Sequence, residues 1–172
     1  MPDVPPPQGE VAALVAIQAT LAQRPWVIAA ARAMSRFGEH SGGWLAIAAI
    51  GTVAQPDKRR QWLLAGAGAF TAHATAVVIK RVVQRRRPSH PAVQVNVGTP
   101  SALSFPSAHA TSTTTAAVLM APLIDLPLPL LAVPPMALSR LILGVHYPSD
   151  VLTGVAVGAL VAQVFKKIGK SA

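Results

Sequence analysis

The sequence predicts an all-α protein built into a membrane, a bundle of about five spanning helices preceded by helices lying at the interface. Three observations carry this. Hydrophobic residues make up 52% of the chain and charged residues only 12%, whereas a soluble domain has about 25% charged residues to cover its wetted surface. Mean hydropathy is +0.46. The apolar residues also come in runs approaching the roughly 20 residues that a helix needs to cross a bilayer, and the basic residues gather at the ends of those runs. A length of 172 residues argues for one domain, placed over residues 10–172 behind a proline-rich tail, 1–9, that is expected to be disordered.

Val11 to Ala22 and Pro25 to Phe37 read as two helices broken at Gln23-Arg24-Pro25. Pro25 suits a first helical turn, where a backbone N–H would lack a partner anyway. An Arg at mid-bilayer would cost about 2.5–3.5 kcal/mol on insertion scales, so this pair is expected at the interface rather than as one span. Trp44 to Ala54 is about half a usual span and needs its flanks or the bundle interior. Gln61 to Ile79 is long enough to cross. Ala108 to Ile124 and Leu126 to Val145 follow; the second carries Pro127, Pro129, Pro134 and Pro135 and is expected to kink or to start late. Asp150 to Phe165 is slightly short and otherwise clean. The absence of Cys excludes disulfides, thiolate nucleophiles and sulfur-ligated zinc. The opening M-P-D-V-P-P-P lacks the basic start of a signal peptide. Lys plus Arg outnumber Asp plus Glu by 15 to 6, which at this hydropathy points to anionic lipid rather than nucleic acid.

Running five segments alternately up and down brings three motifs to one face: K-R-V-V-Q-R-R-R-P at Lys80 to Pro88, P-S-A-H at Pro106 to His109, and S-R-L-I-L-G-V-H-Y-P-S-D at Ser139 to Asp150. Lys80, Arg87 and Arg140 offer fixed donors for an oxyanion and Ser107 a hydroxyl. His109 and His146 supply imidazoles for nucleophilic and acid–base work, and Asp150 a carboxylate to orient one of them. Lys80 and Arg87 lie two turns apart and point the same way if their helix persists to Pro88. Ser107 suits an N-cap, and a helix N-terminus is itself an anion site. Pro148 in a first turn puts His146 just ahead of a helix, with Asp150 four residues on to hold an imidazole N–H. Each motif alone has a plainer reading. Arg81, Arg85, Arg86 and Arg87 could simply anchor a spanning helix by snorkelling, and Ser107 could merely cap. Together they describe a site for phosphate transfer.

The combined pattern, K-x6-R-P, P-S-x-H and S-R-x5-H-x3-D, resembles the phosphatidic acid phosphatase type 2 superfamily over Lys80 to Asp150. The resemblance implies a helical bundle and metal-independent dephosphorylation through a phosphohistidine, without a cofactor. Lys80, Arg87, Ser107 and Arg140 would bind the phosphoryl oxygens, His146 would attack, His109 would protonate the leaving oxygen and later activate water, and Asp150 would orient His146. Ala108 stands where the family usually has Gly, which bears on the geometry of that loop. The stretches F-G-E-H-S-G-G-W and V-G-T-P-S-A-L-S-F-P-S are similar to small actinobacterial members. That similarity implies a prenyl-linked substrate in the plasma membrane, decaprenylphosphoryl-5-phosphoribose of cell-wall arabinan synthesis. Undecaprenyl diphosphate, phosphatidylglycerophosphate and phosphatidic acid are the alternatives.

The expected partners are thus a lipid phosphate and membrane lipids, with no nucleic acid and no metal; the six acidic residues are scattered. Oligomeric state is not fixed by any of this. Glu39 and His40 are expected on the catalytic face, where contact with a sugar competes with a solvated turn. His73 shares the stripe of Lys80 about 10 Å deeper at 1.5 Å per residue, either lining a channel or buried against a neighbouring hydroxyl or carbonyl. Thr111 to Thr115 are expected to bond back within their helix or to join helices. Two other classes fit parts of the pattern: a vanadate-dependent haloperoxidase, and a non-enzymatic membrane protein that gathers anionic lipid through its basic clusters.

Overall fold

The computed structural model describes residues 5–170. Within them run α1 (Gly9–Leu21), α2 (Pro25–Gly38), α3 (Gly42–Ala54), α4 (Arg59–Val83), α5 (Ala108–Ile124), α6 (Leu128–Ile142) and α7 (Pro148–Lys170). A 3-10 turn, Glu39–Ser41, joins α2 to α3. Residues 1–4 of the expected tail lie outside the described residues, and Pro5 offers its carbonyl to His90 Nε2 at 3.0 Å.

The bundle is built around α5, which packs against α4, α6 and α7. Its first ten residues, A-H-A-T-S-T-T-T-A-A, are all buried. So polar a stretch tolerates burial because its hydroxyls bond carbonyls of its own helix. Thr111 Oγ1 donates to Ser107 O at 2.8 Å, Thr114 Oγ1 to Ala110 O at 2.8 Å, and Thr115 Oγ1 to Thr111 O at 3.1 Å. Thr115 also reaches across to Gly158 O on α7 at 2.8 Å, and Thr113 Oγ1 accepts from Trp44 Nε1 at 3.0 Å. Both expected uses of this run, bonding back and joining helices, are therefore realised. Small residues on α7 allow the approach: a Cβ at Gly154 would lie 2.7 Å from Ser107 O, and one at Gly158 would strike the Thr111 carbonyl. An apolar cluster of Trp44, Trp62, Ala69, Met120 and Leu123 fastens α3, α4 and α5. A second, with Ala22, Ala31, Ile142 and Leu143, fastens the two N-terminal helices to the end of α6.

By length and apolarity two helical stretches qualify as membrane spans, Pro56–Val83 and Pro148–Lys170; α1 with the helical stretch after it qualifies only as a pair bent by 119°. Five spans are expected from the sequence, but α3, α5 and α6 have 13, 17 and 15 residues. α5 needs no long apolar surface because its first half faces protein on every side. α6 starts late, as its prolines suggest, and carries Pro134 and Pro135 within it. Large apolar side chains such as Ile50, Val53, Phe70, Leu130, Leu152 and Leu160 stand exposed on the outside, a surface suited to lipid.

One expectation is corrected here. The helix bearing Lys80 does not persist to Pro88: α4 ends at Val83, and Gln84 turns left-handed (φ 53°) with its N–H on Lys80 O at 2.9 Å. Beyond it the chain runs extended against residues 101–104. Ser104 N–H bonds Arg85 O at 2.8 Å, Arg87 N–H bonds Ala102 O at 3.2 Å, and Arg86 bridges Leu103. Lys80 and Arg87 therefore do not share a helical stripe. Arg87 finds carbonyl partners in the surrounding loops, and Arg85 finds carboxylates on α1 and α7, partners that a further helical turn would not offer.

Candidate active site

The C-terminal ends of α4 and α6 and the N-terminal ends of α3, α5 and α7 meet at one end of the bundle. A cavity of about 570 Å³ opens there, lined by residues of α4, α5 and α6, the 3-10 turn and the loops before α5 and α7. Lys80, Arg87, His109, Arg140 and His146 line it, with Glu39, His40, His73, Ala108 and the loop over residues 98–103. Phe70, Ala74, Val77 and Val78 of α4 form an apolar wall beside them. A wider depression of about 710 Å³ at the opposite end, between Val118, Pro122, Pro129 and Lys166, gathers no comparable set of polar groups.

Three cations converge here, and among the described residues no carboxylate lies within 4 Å of them. Lys80 is 8% exposed, and its Nζ donates to Ser104 O at 2.7 Å and Leu103 O at 3.3 Å. Arg87 donates through Nε to Ser101 O at 2.8 Å and through one terminal nitrogen to Val145 O at 2.6 Å. Arg140, 2% exposed, donates to Ser35 Oγ at 2.7 Å, and its Nε has no hydrogen-bond partner among the described residues. No ion pair within 4 Å involves any of the three among the described residues. Carbonyls and a hydroxyl position these cations but leave their charge uncompensated, so the cavity favours a multiply charged anion. Burial draws the pKa of Arg87 below its usual value, with Asp150 and Glu39 opposing; a guanidinium nevertheless stays charged in proteins.

The imidazoles sit against this cup. His146, 2% exposed, presents Nε2 3.3 Å from the Arg87 guanidinium. A guanidinium only donates, so Nε2 accepts and the ring proton belongs on Nδ1, on the side of Asp150. Burial, then Arg87, Arg140 and Lys80, hold its pKa well below the usual imidazole value. His146 is therefore a neutral ring with its Nε2 lone pair at the cup, as a nucleophile requires. His109, in the first turn of α5, is oriented by its Nε2 contact of 3.0 Å to Ser35 O. Gly38 makes room for it, since a Cβ there would lie 2.6 Å from His109 Cδ2.

Asp150 departs from expectation in one respect. Its Oδ2 is 3.6 Å from His146 Nδ1, an ion-pair distance rather than a hydrogen bond. Arg85 donates to Oδ1 at 2.9 Å and the Tyr147 N–H to Oδ2 at 2.8 Å, and these stronger claims fix the carboxylate. Ser107 is not in the cavity lining. It caps α5, accepting from Ala110 N–H at 3.4 Å, and its own N–H bonds Asp150 O at 2.9 Å. Ala108, the residue in place of the family's usual Gly, is the first residue of α5 and lies on the cavity wall. Of the remaining candidates, Glu39, His40 and His73 all face the cavity.

Three residues that serve this site escaped the motif reading. Arg85 bonds Asp150, Ser149 Oγ (2.6 Å) and Glu10 (2.6 Å), and stacks over Tyr147 at 4.1 Å. Its place among four arginines had suggested an anchor in the headgroups. Glu10 completes the bridge by accepting from Ser149 N–H at 2.8 Å, in the first turn of α7. Ser35 serves two site residues at once, its carbonyl holding His109 and its hydroxyl Arg140. Nothing local in the sequence marks Glu10 or Ser35.

A buried cup demanding a multiply charged anion, with a neutral imidazole beside it at the end of a membrane bundle, is the equipment of a membrane phosphatase. The chain belongs to the PAP2 superfamily, whose model matches residues 61–171. It is 71% identical over 148 residues to the decaprenylphosphoryl-5-phosphoribose phosphatase of Mycolicibacterium smegmatis (strain ATCC 700084 / mc(2)155), covering 86% of this chain and 82% of that one. To the decaprenylphosphoryl-5-phosphoribose phosphatase of Mycobacterium tuberculosis (strain CDC 1551 / Oshkosh) it is 62% identical over 163 residues, 95% and 92% of the two chains. The fold is shared with a transmembrane PAP2-type phosphatidylglycerolphosphate phosphatase from Bacillus subtilis, with a TM-score of 0.72 at 22% identity over 93% and 86% of the chains. The protein is a membrane phosphatase, a hydrolase of phosphoric esters. This sets aside the haloperoxidase and the non-enzymatic lipid binder.

Proposed function

We propose that this chain removes the phosphate from a polyprenyl-linked phosphoribose, decaprenylphosphoryl-5-phosphoribose, at the plasma membrane. The observation that carries the reading is the 62–71% identity, over most of both chains, to phosphatases named for that substrate. The apolar wall of α4 beside the cationic cup suits a substrate whose far end stays in lipid.

In this reading Lys80, Arg87 and Arg140 bind the phosphoryl oxygens, and the N-terminus of α5, which Ser107 caps, turns its positive dipole end to the same anion. His146 Nε2 attacks phosphorus; the P–N bond forms as the ester P–O bond breaks, and His109 gives a proton to the departing oxygen. His109 then takes a proton from water while the water oxygen attacks phosphorus. The P–N bond breaks and inorganic phosphate leaves. Asp150, 3.6 Å behind His146, stabilises the positive ring of the phosphohistidine. Arg87 contacts Nε2 at 3.3 Å and turns from that nitrogen to the phosphoryl oxygens when substrate binds.

The test is release of inorganic phosphate by the purified protein from a panel of decaprenylphosphoryl-5-phosphoribose, undecaprenyl diphosphate, phosphatidylglycerophosphate and phosphatidic acid. The phosphoribose lipid is expected to give a kcat/KM at least tenfold above the others. A higher value for any of the other three would overturn the assignment of substrate.

A further inference from the structure

We infer that Glu39, His40 and His73 form a hydroxyl-binding subsite that receives the pentose ring of the substrate on the leaving-group side of the cup. The inference rests on the function proposed above and extends it to what the cavity recognises besides phosphate. His109, as the proton donor to the departing oxygen, marks the side on which the leaving group lies. Glu39 and His109 line the same cavity with Glu39 Oε2 3.9 Å from His109 Nε2, so a ring attached to that oxygen has Glu39 within its reach.

A carboxylate is an unexpected neighbour for a phosphate pocket. It repels the anion that three cations are placed to attract, and that repulsion is useful only if the carboxylate binds something else. Glu39 is 41% exposed at its side chain, and among the described residues its ion-pair contacts are with the two imidazoles, at 3.7 Å and 3.9 Å. Both distances exceed a hydrogen bond, so its acceptor capacity remains for a ligand. His40 lies beside it with its ring 5.6 Å from that of His73, whose Nδ1 is buried without a hydrogen-bond partner among the described residues. One carboxylate and two imidazoles in a row, accepting and donating, match the vicinal hydroxyls of a pentose. They do not match a second phosphate or a hydrocarbon.

The backbone holds this set in place at a cost. His40 (φ 48°) and Ser41 (φ 60°) are consecutive left-handed residues, neither of them glycine, although Gly38 and Gly42 lie close by. Ser41 is fully buried and donates to Ala69 O at 3.3 Å, pinning the turn to α4. A strained conformation that the surroundings enforce, turned toward a cavity, is expected where side chains must be aimed.

The experiment compares Glu39→Ala, Glu39→Gln and His73→Ala with the parent protein in two readings. One is the ratio of kcat/KM for decaprenylphosphoryl-5-phosphoribose to that for phosphatidic acid. The other is the ratio of inhibition constants for ribose 5-phosphate and inorganic phosphate. The subsite requires Glu39→Ala to lower the first ratio and raise the second at least tenfold, because a site built for hydroxyls loses discrimination when its acceptor goes. Glu39→Gln, which keeps one acceptor oxygen, falls between. Ratios that stay level while both substrates slow together overturn the inference and leave Glu39 acting through His109. Unchanged kinetics throughout overturn it as well. If the parent protein hydrolyses phosphatidic acid but not the phosphoribose lipid, the proposed function itself fails and takes the subsite with it.

Discussion

Replacing Arg85 by Gln probes the bridge behind His146, the proposed nucleophile. Arg85 holds the fully buried Asp150 at 2.9 Å and the half-exposed Glu10 at 2.6 Å, and is itself 30% exposed at its side chain. Removing one partner of a fully buried charge pair costs about 3–5 kcal/mol, whereas an exposed pair is worth about 0.2–1 kcal/mol. Asp150 keeps the Tyr147 N–H, and water can reach the Arg85 side, so the cost should fall near 2–3 kcal/mol, toward the range of charge-assisted hydrogen bonds. Glu10→Gln, which disturbs only the outer half of the bridge, should cost about 1 kcal/mol. The two changes share a guanidinium, so the double variant should fall short of their sum by about 0.5–1 kcal/mol.

The same substitution acts on catalysis by freeing Asp150 Oδ1 from its clamp. The carboxylate can then shift relative to His146 Nδ1, now 3.6 Å away, and misplacement of a catalytic group by about 1 Å can lower the rate by about a hundredfold. Thermal unfolding of the four proteins in one detergent, with phosphate release measured alongside, reads both effects. Strict additivity of the two stability changes, or an Arg85→Gln protein with parental activity, would refute the argument that Arg85 positions the His146–Asp150 pair.

His146→Ala is expected to abolish phosphate release and to leave no acid-labile labelled phosphoprotein after brief exposure to labelled substrate, whereas His109→Ala should slow release by about 10²–10⁴. A labelled intermediate in His146→Ala would remove that ring from the role of nucleophile. The His146 ring, held below the free imidazole value of about 6.5, should show an NMR titration midpoint under pH 6.5. The sign for stability follows: the unfolded chain takes up a proton that the folded ring refuses, so His146 lowers folding stability as the pH falls below about 6.5. A midpoint above 6.5 would contradict the burial of this ring. Gly158→Leu should destabilise by more than the 1–3 kcal/mol typical of overpacking, since even its Cβ would strike the Thr111 carbonyl. Near-parental unfolding of that variant would mean that α5 and α7 do not pack so closely.

What could be read from the chain and what could not divide along a physical line. Residues at the ends of apolar runs are legible because hydropathy fixes where each run ends and short turns fix which ends are neighbours. Lys80, His109, Arg140 and His146 come to one face on that basis, and in the structure they line one cavity. The extent of α4 was not legible, because K-R-V-V-Q-R-R-R continues a helical composition and only partners elsewhere decide where it stops. Arg85 finds Asp150 across 65 residues and Glu10 across 75, and Glu10 finds the Ser149 N–H across 139. No spacing rule reaches that far, and a lone Glu near a proline-rich start carries no local mark of its role. Charge has two uses here. Lys80 and Arg87, the cations proposed to meet substrate, have carbonyl partners, while Arg85 of the same run takes the carboxylates of Glu10 and Asp150. A run of like charges in a sequence therefore hides two populations, and pairing in the fold, not position in the run, tells a phosphate ligand from a brace.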